Sequence, residues 1–186
     1  MTGPVAEAGG NRHVSPWNRR AKIGRMLWAF VSATLFRPSP RPCYRWRNWL
    51  LRRFGATIHS TAHIRPSVAI EIPWHLTVGA NSSIGDHAIL YCLAPVTLGD
   101  RVTVSQYAHL CAGTHDHTRR SMPLVPRPIV LDDDVWVAAD VFVGPGVRVG
   151  AGTVVGARSS VFSNLPAWKV CVGTPARPVG ERKLVD

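Results

Sequence analysis

The residues best suited to chemistry stand in one polar run, Thr114, His115, Asp116 and His117. An imidazole titrates near neutral pH, so a histidine that is held in place can act as a general base. Asp116 could orient such an imidazole or could be a solvated loop acid, and His117 is equally open. A histidine in an isolated loop is usually just solvated, so the value of His115 as a base depends on what holds it.

The elements that hold this run are blocks of six residues. From 131 to 165 the sequence reads LDDDVW, VAADVF, VGPGVR, VGAGTV, VGARSS and VFSNLP, and an aliphatic residue opens every block. Neither a helix, with its period of 3.6 residues, nor a strand, with its period of two, gives this pattern. A six-residue period is typical of parallel β-helices, in which each block is one short strand followed by a corner. The pattern therefore predicts inward first residues and tight corners made by Gly, Ala, Asp or Asn.

The same count extends back to residue 58 and predicts five coils of a three-sided prism. Its fifteen inward positions are all aliphatic: Ile58, Ile64, Ile70, Val78, Ile84, Leu90, Leu98, Val104, Leu110, Leu131, Val137, Val143, Val149, Val155 and Val161. The steps are six residues except at three places, where 2, 2 and 15 residues are added. All three insertions fall between the third and first faces, and solenoids concentrate insertions on their binding side. The longest one predicts an ordered loop over 114–128, with His115 at its root on a stiff shaft, which favours a functional histidine.

Charge divides the chain unevenly. Residues 1–55 contain 11 Lys or Arg and one acid, whereas residues 56–186 contain 11 and 10. The net charge of +11 therefore belongs mainly to the N-terminal segment, and it gives no support to nucleic-acid binding by the repeats. The four cysteines have no paired spacing and fit reduced thiols in the cytosol better than disulfides or a zinc site.

The segment before the repeats predicts a mobile tail over 1–16 and two basic, Trp-rich helices over 17–36 and 44–54. These helices could cap the open end of the solenoid, or residues 17–54 could attach to an anionic membrane face, and both can hold. The longest apolar run, 26–36, is too short to cross a bilayer as a helix.

The sequence thus divides into a tail with helices at 1–55, a β-helix domain at 56–168 and a closing segment at 169–186. The sequence shows no secretory signal that ends in a clear cleavage site, so we expect a cytoplasmic protein. Its basic helices could also bring it to the inner membrane face.

The repeats, the THD root of the loop, PIVLDDDVWVAADVFVGPGV, VVGARSSV and the closing VGTPARPV resemble the left-handed β-helix (hexapeptide-repeat) O-acetyltransferases. The stretches MLWAFVSATLFRPSPRP and ILYCLAPVTLGDRVTVSQYAHLCAGTHD are more similar still to colanic acid biosynthesis acetyltransferases. The resemblance covers residues 20–180. It implies an all-β solenoid that winds as a left-handed parallel β-helix and assembles as a homotrimer. It also implies transfer of an acetyl group from acetyl-CoA, with no metal, to a hydroxyl of a sugar or glycan intermediate of exopolysaccharide or capsule assembly.

The resemblance also implies roles for individual residues. His115 matches the catalytic histidine, which removes a proton from the acceptor hydroxyl as that hydroxyl attacks the thioester. Trp136 matches a tryptophan near the active site, although it could equally be a packing residue between coils. With Tyr91, Asp116 and His117 it would form the active-site wall or acceptor site. The positions implied for CoA binding are Ala139, Ala157, Arg158, Arg177, Arg182 and Lys183.

Departures from the family keep two alternatives open. Tyr91-Cys92 stands where relatives use Asn to hold acetyl or acceptor groups, and Phe162-Ser163 stands where relatives often have Thr-Lys. A non-catalytic scaffold subunit would explain both. The γ-class carbonic anhydrases use the same solenoid with zinc held by three histidines across a trimer interface. Their pair of ligands five residues apart is absent among the candidates: His87, His109, His115 and His117.

Overall fold

Two helices precede the repeats in the computed structural model, which describes residues 17–185. Helix α1 spans Arg19–Val31 and continues into a π-helical turn, Ser32–Phe36, while α2 spans Tyr44–Arg53. The side chain of Asn18 caps α1 by accepting a hydrogen bond from the backbone N–H of the third residue of the helix. The predicted tail and Asp186 lie outside the described residues.

The strands follow in chain order. They are β1 Thr57–Ile58, β2 His63–Ile64, β3 Ala69–Ile70, β4 Leu76–Val78, β5 Ser83–Ile84, β6 Ile89–Tyr91, β7 Val96–Leu98, β8 Thr103–Val104, β9 His109–Cys111, β10 Gly113–His115, β11 Leu124–Pro126, β12 Ile129–Leu131, β13 Trp136–Val137, β14 Phe142–Val143, β15 Arg148–Val149, β16 Val154–Val155, β17 Ser160–Val161, β18 Lys169–Gly173 and β19 Ala176–Glu181. A 3₁₀ turn, Pro73–His75, lies between β3 and β4.

These strands stack into three parallel faces of a prism. Face 1 has the order β1-β4-β7-β12-β15, face 2 is β2-β5-β8-β13-β16-β18 with β19 antiparallel at its edge, and face 3 is β3-β6-β9-β14-β17. We call the corner between faces 3 and 1 the insertion corner, because all three added segments lie there. The corner between faces 2 and 3 is the alanine corner, and that between faces 1 and 2 is the third corner.

The core is the column of residues that open the blocks. All fifteen predicted inward side chains are buried, none of them more than 6% exposed. Their register is continuous: on face 2, for example, Ile64 pairs with Ile84, Ile84 with Val104, Val104 with Val137 and Val137 with Val155. Because each aliphatic side chain contributes about 1.5–3 kcal/mol on burial, burial of this column is the main driving force for folding of the prism.

The corners differ in composition from the prediction. Left-handed backbone, with positive φ, recurs at Asn81 and Asp134 as expected, but also at Arg101, Tyr107 and Trp168. At Arg101, Tyr107, Asp134 and Trp168 the backbone N–H donates to a carbonyl of the adjacent coil, at 2.7–3.0 Å. This bond between coils offsets the cost of about 1–2 kcal/mol that an L-residue incurs in the left-handed region. Corners therefore tolerate bulky and charged residues.

Helix α2 packs on β1 and β2 of the first coil. Its buried Arg47 donates through Nε to the carbonyl of Ile64 at 2.7 Å, and Asn48 donates to the carbonyl of Ala62 at 2.8 Å. The buried side of α2 is thus partly polar, and Trp46 and Trp49 lie exposed. This helix covers the first coil. Within residues 17–185 no helix is long and apolar enough to cross a membrane.

Candidate active site

The longest insertion forms a β-hairpin that leaves the insertion corner. Strands β10 and β11 pair antiparallel, with Gly113 opposite Pro126 and His115 opposite Leu124. At the base, the Arg127 N–H donates to the carbonyl of Ala112 at 3.1 Å. A Cβ on Gly113 would come within 2.8 Å of the Leu93 side chain, so this glycine allows the hairpin to sit directly on the coil below. The predicted ordered loop is therefore a short two-stranded ribbon.

The hairpin fixes the imidazole of His115 through the backbone. Nδ1 of His115 lies 2.6 Å from the carbonyl oxygen of Met122, near the start of the returning strand. Since a carbonyl can only accept, Nδ1 carries the proton and Nε2 keeps its lone pair. The side chain of His115 is exposed in the single chain. An oriented imidazole with a free Nε2 is the geometry that a general base requires.

Asp116 closes the hairpin turn and makes no hydrogen bond to the imidazole within the described residues. Its Oδ1 accepts from the backbone N–H of Thr118 at 3.0 Å and from the Thr118 hydroxyl at 2.6 Å, and its carboxylate pairs with Arg119 at 3.3 Å. The hydrogen bonds from Thr118 hold the pKa of Asp116 below its usual range. The carboxylate of Asp116 therefore supports the hairpin turn, a role that the sequence does not predict. His117 is exposed beside it.

Tyr91 lies at the foot of the hairpin on face 3. It pairs with Cys111 in the sheet, and its carbonyl accepts from the Ala112 N–H at 3.1 Å. Its exposed ring stands edge-on to His109, with centroids 6.5 Å apart. Burial raises the pKa of the Cys92 thiol beside Tyr91, so this cysteine is not a thiolate nucleophile. All four cysteines are free in the described chain.

Other predicted site residues lie elsewhere on the prism. Trp136 is on face 2, where its indole Nε1 donates to the Ser105 hydroxyl at 3.0 Å. Ala139 and Ala157 occupy consecutive coils of the alanine corner, joined by a hydrogen bond from the Arg158 N–H to the Ala139 carbonyl at 3.0 Å. Ala139 is half-buried and Ala157 is exposed, and we call these two small residues the alanine strip.

The predicted cations separate into two groups. Arg158 lies at the alanine corner, 86% exposed, with its Nε 3.5 Å from Asp140. Arg177, in β19 beside the turn that returns at this corner, contacts the Ser163 hydroxyl at 3.5 Å. Arg182 instead donates to the carbonyls of Asp134 and Gly152 at 2.6 and 3.0 Å, on the third corner, and Lys183 follows it. Only the first group adjoins the alanine strip.

The structure therefore brings together Tyr91, His115, Asp116 and His117, but not Trp136 or the alanine strip. Face 2 lies opposite the insertion corner, so the two sets of predicted site residues do not meet within the described chain. The sequence does not predict the role of the Met122 carbonyl, because a backbone acceptor leaves no side-chain signature. In the structure this position has a positive φ of 43°.

The zinc alternative gains no support from the described histidines. His87 stacks on Tyr107 at the alanine corner, with centroids 5.2 Å apart, His109 lies on face 3, and His115 lies in the hairpin. Among residues 17–185 no group of three His, Cys, Asp or Glu side chains could hold a metal ion.

Comparison with known proteins identifies the family. The chain is 51% identical over 156 residues to an Escherichia coli (strain K12) protein that carries the name colanic acid biosynthesis acetyltransferase WcaF, a match that covers 84% of this chain and 86% of that protein. A hexapeptide-repeat acetyltransferase of Vibrio cholerae, solved with acetyl-coenzyme A, superposes with a TM-score of 0.81 at 26% identity over 92% of this chain and 93% of that chain. This chain belongs to the hexapeptide-repeat acetyltransferases.

The fold of this chain also matches that of a galactoside acetyltransferase solved with coenzyme A. That structure superposes with a TM-score of 0.83 at 22% identity over 91% of this chain and 86% of that chain. No protein-family model matches the sequence. The stacked parallel strands confirm the predicted β-helix, and the relatives confirm the predicted enzyme class, an acyltransferase.

Proposed function

We propose that this acetyltransferase moves the acetyl group of acetyl-CoA to a hydroxyl of a sugar or glycan intermediate in exopolysaccharide assembly. The relative at 51% identity is named for colanic acid biosynthesis, and a neighbour at 26% identity was solved with acetyl-coenzyme A. The observation that carries the mechanism is the contact of 2.6 Å between Nδ1 of His115 and the Met122 carbonyl, because it leaves Nε2 free to take a proton.

The reaction is a direct transfer. Nε2 of His115 removes the proton of the acceptor hydroxyl while that oxygen bonds to the acetyl carbon. The carbon–sulfur bond of the thioester breaks, and the proton held on Nε2 passes to the sulfur that leaves. The products are an acetyl ester and the free thiol of CoA, and His115 returns to its starting state.

The alanine corner suits the long arm of acetyl-CoA, which supplies the activated acetyl group. Ala139 and Ala157 carry only methyl groups in adjacent coils, so an extended ligand can lie close to the main chain there. Arg158 and Arg177 flank the strip and offer two cations to the phosphates. Arg182 and Lys183 lie on another corner and would reach the nucleotide only from a different chain.

A homotrimer would complete the site. The hairpin is at the insertion corner, whereas Trp136 and the alanine strip lie on face 2 and the alanine corner, so a second copy must bring the two sets together. Co-expression of two inactive variants tests this. His115→Ala removes the base and Ala157→Trp fills the strip; if a site combines residues of two chains, random mixing restores about a quarter of the sites. A mixture as inactive as its parents would place both sets in one chain.

The acceptor fits a cleft of about 700 Å³ between α1 and face 3. Its walls include Met26, Trp28 and Ala29 of α1 together with Ile89 and Tyr91 of face 3. Tyr91 joins the cleft to the hairpin, since its carbonyl accepts from the Ala112 N–H. A sugar in the cleft could therefore direct a hydroxyl toward His115.

Removal of the base tests the mechanism. We expect His115→Ala to lower kcat by about 10²–10⁴-fold while acetyl-CoA still binds, measured by release of CoA thiol and by calorimetry. His59→Ala, at the third corner, is the matched histidine control and should keep its turnover. Turnover near that of the unmodified enzyme in His115→Ala would remove the proposed mechanism, and absence of acetyl-CoA binding by the unmodified enzyme would favour the scaffold alternative.

We also propose that α1 rests on an anionic lipid surface at the inner membrane face. Ile23, Met26, Leu27 and Phe30 form an exposed helical stripe, each at least 55% exposed, and Arg19 precedes it. Because residues 17–55 contain ten Lys or Arg and no acid, this surface complements negative headgroups.

Sedimentation with vesicles tests this contact. Binding should require anionic lipid, weaken with salt and fall in a Met26→Ser, Phe30→Ser variant. If that variant instead lost its oligomeric state and the unmodified enzyme ignored vesicles, the stripe would belong to an interface between copies.

A further inference from the structure

An exposed phenylalanine ring lies at the C-terminal end of face 3. Phe162 directly follows β17, the last strand of this face, and is 60% exposed. Its ring packs on the coil below: the ring centroid lies 5.8 Å from that of Phe142, and a Cβ on Gly144 would lie 3.3 Å from its Cδ1. Apart from Phe142, no aromatic ring or cation stacks on it among residues 17–185. A ring that is held from below and otherwise exposed can stack on the planar base of a nucleotide with little loss of side-chain freedom.

Arg177 brings a positive charge to the residue next to this ring. Its Nη1 lies 3.5 Å from the Ser163 hydroxyl and 3.1 Å from the carbonyl of Ala176. No ion pair neutralises this guanidinium among the described residues, and no Asp or Glu occurs from 141 to 177. An anion bound beside Phe162 would therefore meet a cation that no described carboxylate already holds.

A second cation lies at the insertion corner of the coil below. The side chain of Arg127 runs along the turn that begins at Gly144, since a Cβ on Gly146 would lie 3.3 Å from its Cδ. Phe162 and Arg127 thus rest on the same short turn, whose two glycines leave room for both side chains. Arg127 is exposed, and its guanidinium has no hydrogen-bond or ion-pair partner within residues 17–185.

The distance from the alanine corner suits the nucleotide of the donor. Arg158 precedes Phe162 by four residues in the same coil, so their main chains lie at most about 13 Å apart. If the pyrophosphate of acetyl-CoA lies between Arg158 and Arg177, its adenosine can reach Phe162. The adenine is a planar base, and the ribose carries a further phosphate at its 3′ position, which needs a cation close to that base. Arg127 offers this cation.

We propose that Phe162 and Arg127 bind the nucleotide end of acetyl-CoA: Phe162 stacks on the adenine, and Arg127 pairs with the ribose 3′-phosphate. This inference rests on the proposed function, because it takes acetyl-CoA as the donor. Both residues determine the affinity for the donor, and neither takes part in the transfer itself.

Kinetics with two donors tests the contact with the 3′-phosphate. Acetyl-CoA and acetyl-dephospho-CoA differ only in that phosphate, so the unmodified enzyme should have a lower KM for acetyl-CoA. In Arg127→Gln we expect KM for acetyl-CoA to rise by about 5- to 30-fold, while KM for acetyl-dephospho-CoA and both kcat values stay unchanged. Arg45→Gln, which removes an exposed cation of α2, is the matched control. Equal KM values for the two donors in the unmodified enzyme, or a preference for acetyl-CoA that survives in Arg127→Gln, would overturn this contact.

A pair of variants tests the stacking contact. Phe162→Ala removes the ring and should raise KM for both donors by about 5- to 50-fold at unchanged kcat. Phe162→Tyr keeps a ring of the same shape and should retain KM within about threefold. Phe30→Ala, which removes a similarly exposed ring from α1, is the matched control. A Phe162→Ala variant with the KM of Phe30→Ala, or a Phe162→Tyr variant as weak as Phe162→Ala, would overturn the stacking role.

Calorimetry with CoA and dephospho-CoA measures the same contacts without turnover. If the enzyme acetylates no hydroxyl but binds CoA more tightly than dephospho-CoA in an Arg127-dependent manner, the proposed function fails and the nucleotide site stands. If it acetylates a sugar and all the variants bind CoA as their controls do, the proposed function stands and this inference fails.

Discussion

Replacement of Arg47 by methionine tests which effect dominates when a charge is buried without an acidic partner. The guanidinium donates to the carbonyls of Ile64, Pro40 and Arg41 at 2.7, 2.8 and 2.6 Å, and to the Ser39 hydroxyl at 2.9 Å. It therefore ties α2 both to the first coil and to the segment between the two helices. Methionine has a similar reach and keeps the apolar packing, but it removes every donor.

The expected loss follows from two opposing contributions. Three carbonyls left without a donor cost about 1 kcal/mol or more each, so the unpaired acceptors alone destabilise by about 3–5 kcal/mol. Burial also lowers the pKa of Arg47, which shows that its charged form is desolvated, and removal of that charge returns part of the loss. We expect a net decrease of about 2–3 kcal/mol in the free energy of unfolding.

Urea unfolding at one fixed protein concentration measures this difference, because assembly makes stability depend on concentration. Arg45→Met, two residues away and exposed, is the control and should change the free energy of unfolding by no more than about 0.5 kcal/mol. If Arg47→Met were as stable as Arg45→Met or more stable, the cost of burying the charge would exceed the value of its hydrogen bonds, and the reasoning would be wrong.

Two further predictions concern the hairpin and face 3. Asp116→Asn keeps an Oδ1 acceptor for the turn, so its kcat should stay within about threefold of that of the unmodified enzyme. Asp116→Ala removes this acceptor and should lower kcat by about several-fold. If both variants lost as much kcat as His115→Ala, Asp116 would instead orient the imidazole. His109 has a buried Nε2 without a hydrogen-bond partner among the described residues, and burial lowers its pKa, so the unfolded chain binds the extra proton more readily. The contribution of neutral His109 to stability is present above the pKa of the unfolded chain, near 6.5, and is lost as the pH falls below that value. The melting temperature should therefore fall less between pH 7 and pH 5 in His109→Gln than in the unmodified enzyme. An equal fall in the variant and the unmodified enzyme would contradict this.

The shaft was predictable because one rule governs it. Every sixth residue must face inward, and an aliphatic residue at each such position makes the count self-checking over fifteen positions. The insertion corner followed from the same count, since the steps from 70 to 78, 90 to 98 and 110 to 131 break it at one edge only. The position of His115 needed nothing beyond this arithmetic.

Other features depend on interactions that a period does not encode. The corner at Trp168 is left-handed because its N–H reaches the carbonyl of Ala151 at 2.8 Å, which no side-chain preference announces. Nothing in the basic sequence of α2 distinguishes Arg47 from its neighbouring arginines, but the carbonyls that accept its hydrogen bonds hold it inside the protein. In each case a backbone or tertiary partner decides the outcome.

The clustering of functional parts at one corner has a physical reason. A residue added within a face would turn every following side chain of that strand from inside to outside and break the ladder with both neighbouring coils. A residue added at a corner leaves the inward column untouched, as the 15 extra residues between Leu110 and Leu131 show: Leu131 still pairs with Leu98 below it. The corner can therefore gain a hairpin and the histidine it carries while the inward column of the shaft is unchanged. The same constraint keeps each face regular. In the proposed homotrimer the alanine strip would therefore contribute to a site only where the hairpin of another chain lies against it.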